Sequence, residues 1–121
     1  PLGRFKHFVL SQKAKNWCDL NFNPSPLWER VPTHLPTLDF VWGKLFAEYP
    51  LKTGLEKVVC PVLMLQGAYD FAVGPFSLWN DFLPYFSNLR VKILSNSGHY
   101  PMLEQRGDFD QELLTWKTIV F

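Results

Sequence analysis

Two cysteines among 121 residues leave little room for cysteine chemistry. Cys18 and Cys60 form no C-x-x-C pair, and they are too few for a disulfide scaffold or a zinc site. The expectation is two reduced, partly buried thiols in a cytoplasmic protein. Neither sign of charge is in excess: 12 Lys and Arg against 11 Asp and Glu leave a formal charge of +1. That balance leaves no footprint for nucleic acid or for an anionic membrane surface. No apolar run is long enough to span a bilayer. The opening Pro1-Leu2-Gly3-Arg4 carries neither an initiator Met nor a signal-peptide pattern, so the chain reads as a piece of something longer or as a processed product. Internal repeats and low-complexity segments are also missing.

Aromatic residues are abundant, with 5 Trp and 11 Phe. They suit a bulky core or a hydrophobic pocket equally well. Residues 4–17 read as a helix with Phe5, Phe8, Val9 and Leu10 as its apolar stripe and His7 as a surface or capping residue. Residues 21–36 are interrupted by Pro24, Pro26, Pro32 and Pro36, with a short helical turn beginning near Trp28 and Glu29. His34 lies there without a partner in motif spacing and reads as structural or solvent-facing. From Thr37 to Tyr49 the apolar residues Leu38, Val41, Trp42, Leu45, Phe46 and Tyr49 fall on one helical stripe. Thr37 is the expected cap and Pro50 the expected stop. Core packing is the first expectation for this stripe, and the roof of a substrate pocket is the second.

The second half has a different grain. After a short helix or turn over residues 51–58, Pro61 to Gln66 is a nearly continuous apolar run closed by Gly67, the pattern of a strand buried on both faces of a parallel sheet. A helix is expected from Gly74-Pro75 to about Phe86, ended early by Pro84. A second strand follows over residues 90–94, then a short turn over residues 102–104. A terminal helix covers residues 108–117, anchored by Phe109, Leu113, Leu114 and Trp116. Strand, crossover and strand in this order make a right-handed parallel pair.

Each strand ends at a turn that carries one ionisable residue, Asp70 after the first and His99 after the second. Carboxyl ends of neighbouring parallel strands open on one rim, where open α/β sheets build their sites. Asp70 is then placed to accept a hydrogen bond from His99 Nδ1–H, fixing the ring's tautomer and stabilising the imidazolium formed when His99 takes a proton. Gly98 is expected to give the turn its backbone freedom. Either residue alone is common in a turn; the order, the strand context and the single intervening crossover make the pair a catalytic candidate.

The segment from Cys60-Pro-Val-Leu-Met-Leu-Gln-Gly-Ala-Tyr-Asp70, with Ser97-Gly-His-Tyr-Pro-Met-Leu-Glu104 and the final amphipathic helix, resembles the carboxyl-terminal end of an α/β-hydrolase. The resemblance is specific over about residues 59–117. It implies a fold of class α/β, with the last two strands of a larger sheet bearing the acid and histidine of a Ser-Asp-His triad. It divides the chain into a helical cap segment, 1–56, and the carboxyl-terminal part of the hydrolase core, 57–121. Leu38-Asp39-Phe40-Val41-Trp42-Gly43 and Gly54-Leu55 more loosely resemble the end of the cap in proline-iminopeptidase-like members. On the hydrolase resemblance Trp28, Trp42, Phe46 and Tyr49 lie near or above the pocket; on the looser one Glu29 and Glu48 are candidates to hold a substrate ammonium, with solvated surface charge as the first expectation for both.

One part of the family pattern is absent. None of Ser11, Ser25, Ser77, Ser87, Ser95 and Ser97 has a glycine two positions before it, so there is no G-x-S-x-G elbow, and the cysteines and aspartates fail the same test. The Gly-rich oxyanion segment is absent as well. The expected partners are therefore a small-molecule or short-peptide substrate and either an upstream hydrolase segment carrying the nucleophile or a second copy of the chain. Two strands fall below the three or so usually needed for a stable sheet, and the first would leave an open apolar edge. No metal or organic cofactor is called for. The function implied is that of a serine hydrolase, and the looser resemblance implies an aminopeptidase of the proline-iminopeptidase type. The alternatives are an inert binding or interaction module, or an esterase or epoxide-hydrolase-like member. A purely helical interaction domain would account for the first half only.

Overall fold

The computed structural model describes residues 4–120, with side chains from residue 7 onward except that of Val9. Pro1 to Gly3, and the Phe5 and Val9 side chains of the expected first stripe, lie outside the described residues. Among the described residues the α-helical segments are α1 Arg4–Ser11, α2 Lys13–Asn16, α3 Ser25–Trp28, α4 Leu35–Phe40, α5 Phe46–Glu48, α6 Leu51–Leu55, α7 Pro101–Glu104 and α8 Arg106–Val120. The strands are β1 Val62–Gly67 and β2 Leu89–Leu94. They pair in parallel with Val62 opposite Leu89 and Gly67 opposite Leu94. The Ala68 N–H extends the ladder one step by donating to the Leu94 carbonyl at 2.9 Å.

Burial is concentrated at one end of this sheet. Trp17, Gln66, Asp70, Leu94 and Ser97 are buried, whereas the middle of β1 is half-buried and Ile93 of β2 is exposed. Parallel strands are ordinarily covered on both faces. Here α8 packs on both strands. Glu112 of α8 also takes Arg90 at 3.1 Å and Lys92 at 2.9 Å, two cations that project from β2. These contacts pull the Glu112 carboxyl below its ordinary range, mainly through the Lys92 hydrogen bond.

Several expectations are corrected. The crossover between the strands is not an α-helix but two 3-10 turns, Phe76–Trp79 and Leu83–Tyr85. Pro75 is extended, and Pro84 sits inside the second turn. Proline lacks the N–H that an α-helix would need there and crowds the preceding turn. The spacing of Leu78, Trp79 and Phe82 suits either kind of helix, so periodicity does not separate them. The first helix is broken at Gln12, and Trp17 leaves it in an extended conformation.

The 37–49 helix also differs. It begins at Leu35, with His34 in the cap position and its Nδ1 2.6 Å from Thr37 Oγ1; Thr37 lies inside the helix and does not cap it. A π-helical turn, Val41–Leu45, interrupts it. Hydrogen bonds from i to i+5 take an extra residue into the turn and rotate everything downstream, so a stripe drawn at 3.6 residues per turn no longer lies on one face. Leu38 and Val41 are half-buried, while Trp42, Leu45, Phe46 and Tyr49 are exposed. Core packing therefore does not account for this stripe within the described residues. On α8, Leu113 and Leu114 are exposed, leaving Phe109 and Trp116 as the half-buried anchors. Cys18 is half-buried as expected, but Cys60 is exposed, and both are free thiols.

Candidate active site

Asp70 and His99 meet at the carboxyl end of the sheet. His99 Nδ1 lies 2.9 Å from Asp70 Oδ2, with the carboxyl side chain 7% exposed and the imidazole 37% exposed. The sequence places each residue just past a strand end, and the parallel register brings the two ends level. Asp70 is held from behind: its Oδ1 accepts the Ala72 N–H at 3.0 Å and the Val73 N–H at 3.2 Å. This Asx-type turn aims Oδ2 outward at the imidazole. The far end of the loop is tied by Gln66, whose Nε2 donates to the Gly74 carbonyl at 2.8 Å. Because a carboxylate only accepts, the proton of this contact belongs to His99 Nδ1, and Nε2 keeps its lone pair.

The two turns are also joined through the backbone. Tyr69 N–H donates to the Ser97 carbonyl at 2.9 Å. Gly67 allows this approach, since a Cβ there would collide with the carbonyl oxygens of Ser97 and Gly98. Gly98 does not adopt a left-handed backbone; among the described residues the positive φ lies at Gly74. What Gly98 supplies is closeness, because a Cβ on it would stand 2.5 Å from the Asn16 carbonyl oxygen.

Asn16 belongs to a strut that sequence reasoning missed. The chain leaving α2 runs between the two turns. The Lys15 carbonyl accepts Phe71 N–H at 3.0 Å, and the Asn16 carbonyl accepts His99 N–H at 2.7 Å. Trp17, 2% exposed, anchors the strut. Its ring stacks on Tyr100 at 4.6 Å and meets Phe22 at 4.3 Å. Tyr100 in turn stands edge-on to His99 at 5.1 Å. Burial, and after it the charge of Asp70, pushes the Tyr100 phenol up, keeping it neutral. Glu104 closes the arrangement. Its Oε2 accepts Gly98 N–H at 2.7 Å, and its Oε1 accepts Cys18 N–H at 2.7 Å and Asp19 N–H at 3.3 Å. A local signal for Glu104 exists in its spacing after His99, but nothing near Trp17 in sequence announces its docking partner.

The remaining sequence candidates make other contacts. Trp42 and Phe46 contact each other edge-to-face at 5.2 Å on the exposed helical segment. Tyr49 lies against Gly54 of α6, and Trp28 ends α3. Lys52 of α6 sits over the rings of Phe82 and Tyr85 at 5.8 and 5.7 Å, linking that segment to the crossover. Ser97 is fully buried, with its hydroxyl 3.4 Å from the Leu94 carbonyl. That position suits a structural hydroxyl and not a nucleophile. His7 is exposed on α1.

Comparison with known proteins agrees with this architecture. No protein-family profile matches the chain. Over 116 residues it is 35% identical to the AB hydrolase superfamily protein YclE of Bacillus subtilis (strain 168), covering 96% of this chain and 41% of that protein. Among solved structures it is similar to an esterase from Exiguobacterium antarcticum, with a TM-score of 0.65 and 20% identity, over 93% of this chain and 42% of the esterase. It is also similar to an α/β fold family hydrolase from Bacillus anthracis str. Sterne, with a TM-score of 0.60 and 16% identity, over 89% of this chain and 40% of that one. The chain thus spans about two-fifths of the proteins it matches. Its fold is that of the carboxyl-terminal part of an α/β-hydrolase, and its sequence is similar to a member of that superfamily.

Proposed function

We propose that Asp70 and His99 are the acid and base of a Ser-Asp-His triad whose serine lies on a segment outside these 121 residues, and that the whole protein is an acyl hydrolase. The observation that carries this reading is the 2.9 Å contact between His99 Nδ1 and the buried Asp70 carboxylate at the open rim of the parallel strands. His99 Nε2 takes the proton of the attacking serine as its oxygen bonds to the substrate carbonyl carbon. Asp70 Oδ2 holds Nδ1–H and stabilises the resulting imidazolium. The imidazolium then gives its proton to the departing alcohol or amine. Water, deprotonated by the same Nε2, releases the acyl group and restores the serine. Backbone N–H groups of the outside segment receive the oxyanion.

The division into a cap segment, 1–56, and a core part, 57–121, belongs to this reading. Exposed Trp42, Phe46 and Tyr49 support a role above the pocket, and the reading assigns Trp28 the same role. The half-buried strand middles support an upstream hydrolase segment as the neighbour of the sheet. In the proline-iminopeptidase-like version, Glu48 or Glu29 holds the ammonium of a short peptide. Short acyl p-nitrophenyl esters and prolyl p-nitroanilide test the two versions on the whole protein. Turnover of either that falls at least about a thousandfold in His99→Ala supports the triad. Turnover unchanged in His99→Ala rejects it. Absence of turnover on every ester and amide favours the alternative of an inert binding module.

A further inference from the structure

We infer that Glu104 is a positioning residue for His99, acting through the backbone of the histidine turn; this rests on the dyad reading above. Its carboxylate bonds both to the turn and to the strut across from it. One oxygen accepts Gly98 N–H at 2.7 Å, the peptide immediately before His99. The other accepts Cys18 N–H at 2.7 Å and Asp19 N–H at 3.3 Å. Between these anchors, His99 N–H donates to the Asn16 carbonyl at 2.7 Å. Consecutive peptides of the turn are thus held, one by Glu104 and one by Asn16.

The ring stands clear of this clamp and receives its direction from the backbone it fixes. Hydrogen bonds to a charged group are stronger than neutral ones, and three on one carboxylate leave little freedom to move. A glutamine side chain has a single carbonyl oxygen, so it can serve the turn or the strut but not both. Its NH2 would face backbone donors with nothing to accept it. Glu104→Gln therefore loosens the Gly98–His99 peptide while preserving side-chain size. The ring loses its fixed hydrogen bond to Asp70 and drifts toward the Nε2–H tautomer that a free imidazole prefers.

The test is 15N NMR of the histidine-labelled whole protein, with the His99 signals assigned by their loss in His99→Ala. The wild type is expected to show a downfield Nδ1–H and an unprotonated Nε2 in the neutral ring. Asp70→Asn should abolish that Nδ1–H. Glu104→Gln, with its circular dichroism unchanged, should lose it too and shift both ring nitrogens toward the Nε2–H form. Glu104→Asp should give an intermediate shift. Wild-type ring shifts in Glu104→Gln, with only a lowered melting temperature, would reduce Glu104 to a structural role and overturn the inference. If Asp70→Asn leaves the His99 ring unchanged, it is the dyad reading that fails, and the positioning role falls with it. Should the Glu104 variants not fold, amide exchange in the wild type decides. Slow exchange at both Gly98 and Cys18 supports the clamp, and exchange at the rate of an open loop overturns it.

Discussion

Replacing Trp17 with alanine should be among the most damaging single changes in this chain. Trp17 and Leu94 are its two buried large apolar side chains among the described residues. Trp17 also carries the strut that touches both turns of the candidate site. Truncating a buried tryptophan costs about 3–5 kcal/mol, which includes the loss of its ring contacts with Tyr100 and Phe22. Against a total stability of about 5–15 kcal/mol for a domain, that is a large share. With a urea m-value of about 1.5 kcal/mol/M, a loss of about 4 kcal/mol lowers the unfolding midpoint by roughly 2–3 M. Trp17→Phe keeps an aromatic surface between the same two rings and should lose no more than about half as much. The assay is equilibrium urea unfolding followed by far-UV circular dichroism. A midpoint shift for Trp17→Ala below about 0.5 M would show that the strut is not seated against the rim, and the argument for its role would collapse.

Three further outcomes follow from the same geometry. Gly67→Ala should separate the strand end from the histidine turn, because the added methyl meets backbone carbonyls that have no side chain to swing away; a drop in stability of about 1–3 kcal/mol together with loss of the His99 Nδ1–H signal is expected, and unchanged spectra would contradict it. Glu112 has a folded-state pKa below its unfolded one, so its contribution is complete above the unfolded value and disappears as pH falls through the folded value. Acid titration of stability should therefore be shallower over that range in Glu112→Gln, and an unaltered slope would deny the link to Lys92 and Arg90. Burial first, then the charges of Glu104 and Asp19, raise the Cys18 thiol, so peptide mapping after brief iodoacetamide treatment at pH 8 should find exposed Cys60 modified well before Cys18.

The parts legible in the sequence were those with a local cause. The continuous apolar run of β1, closed by Gly67, marks a strand because few other elements read that way; Val91, Ile93 and Leu94 mark the second, and the crossover rule makes the two parallel. Asp70 and His99 are then placed by topology alone. The resemblance to α/β-hydrolases rests on the same residues, and the relatives agree with it. What stayed hidden was non-local or degenerate. Leu78, Trp79 and Phe82 repeat at a spacing that 3-10 and α turns share, and the prolines chose the former. The π turn at Val41–Leu45 shifted a stripe whose periodicity looked regular. The meeting of Asn16 with His99, and of Glu104 with Cys18, joins residues more than eighty positions apart, and no spacing rule reaches that far.

On the proposed function, this chain lends an acid and a histidine to a serine held elsewhere. A fluorophosphonate probe applied to the whole protein, followed by intact-mass measurement of every polypeptide present, addresses it most directly. One label per active site is expected, on a serine outside residues 1–121, with labelling lost in His99→Ala. Labelling that persists in His99→Ala, or that falls on a serine within these residues, would contradict it.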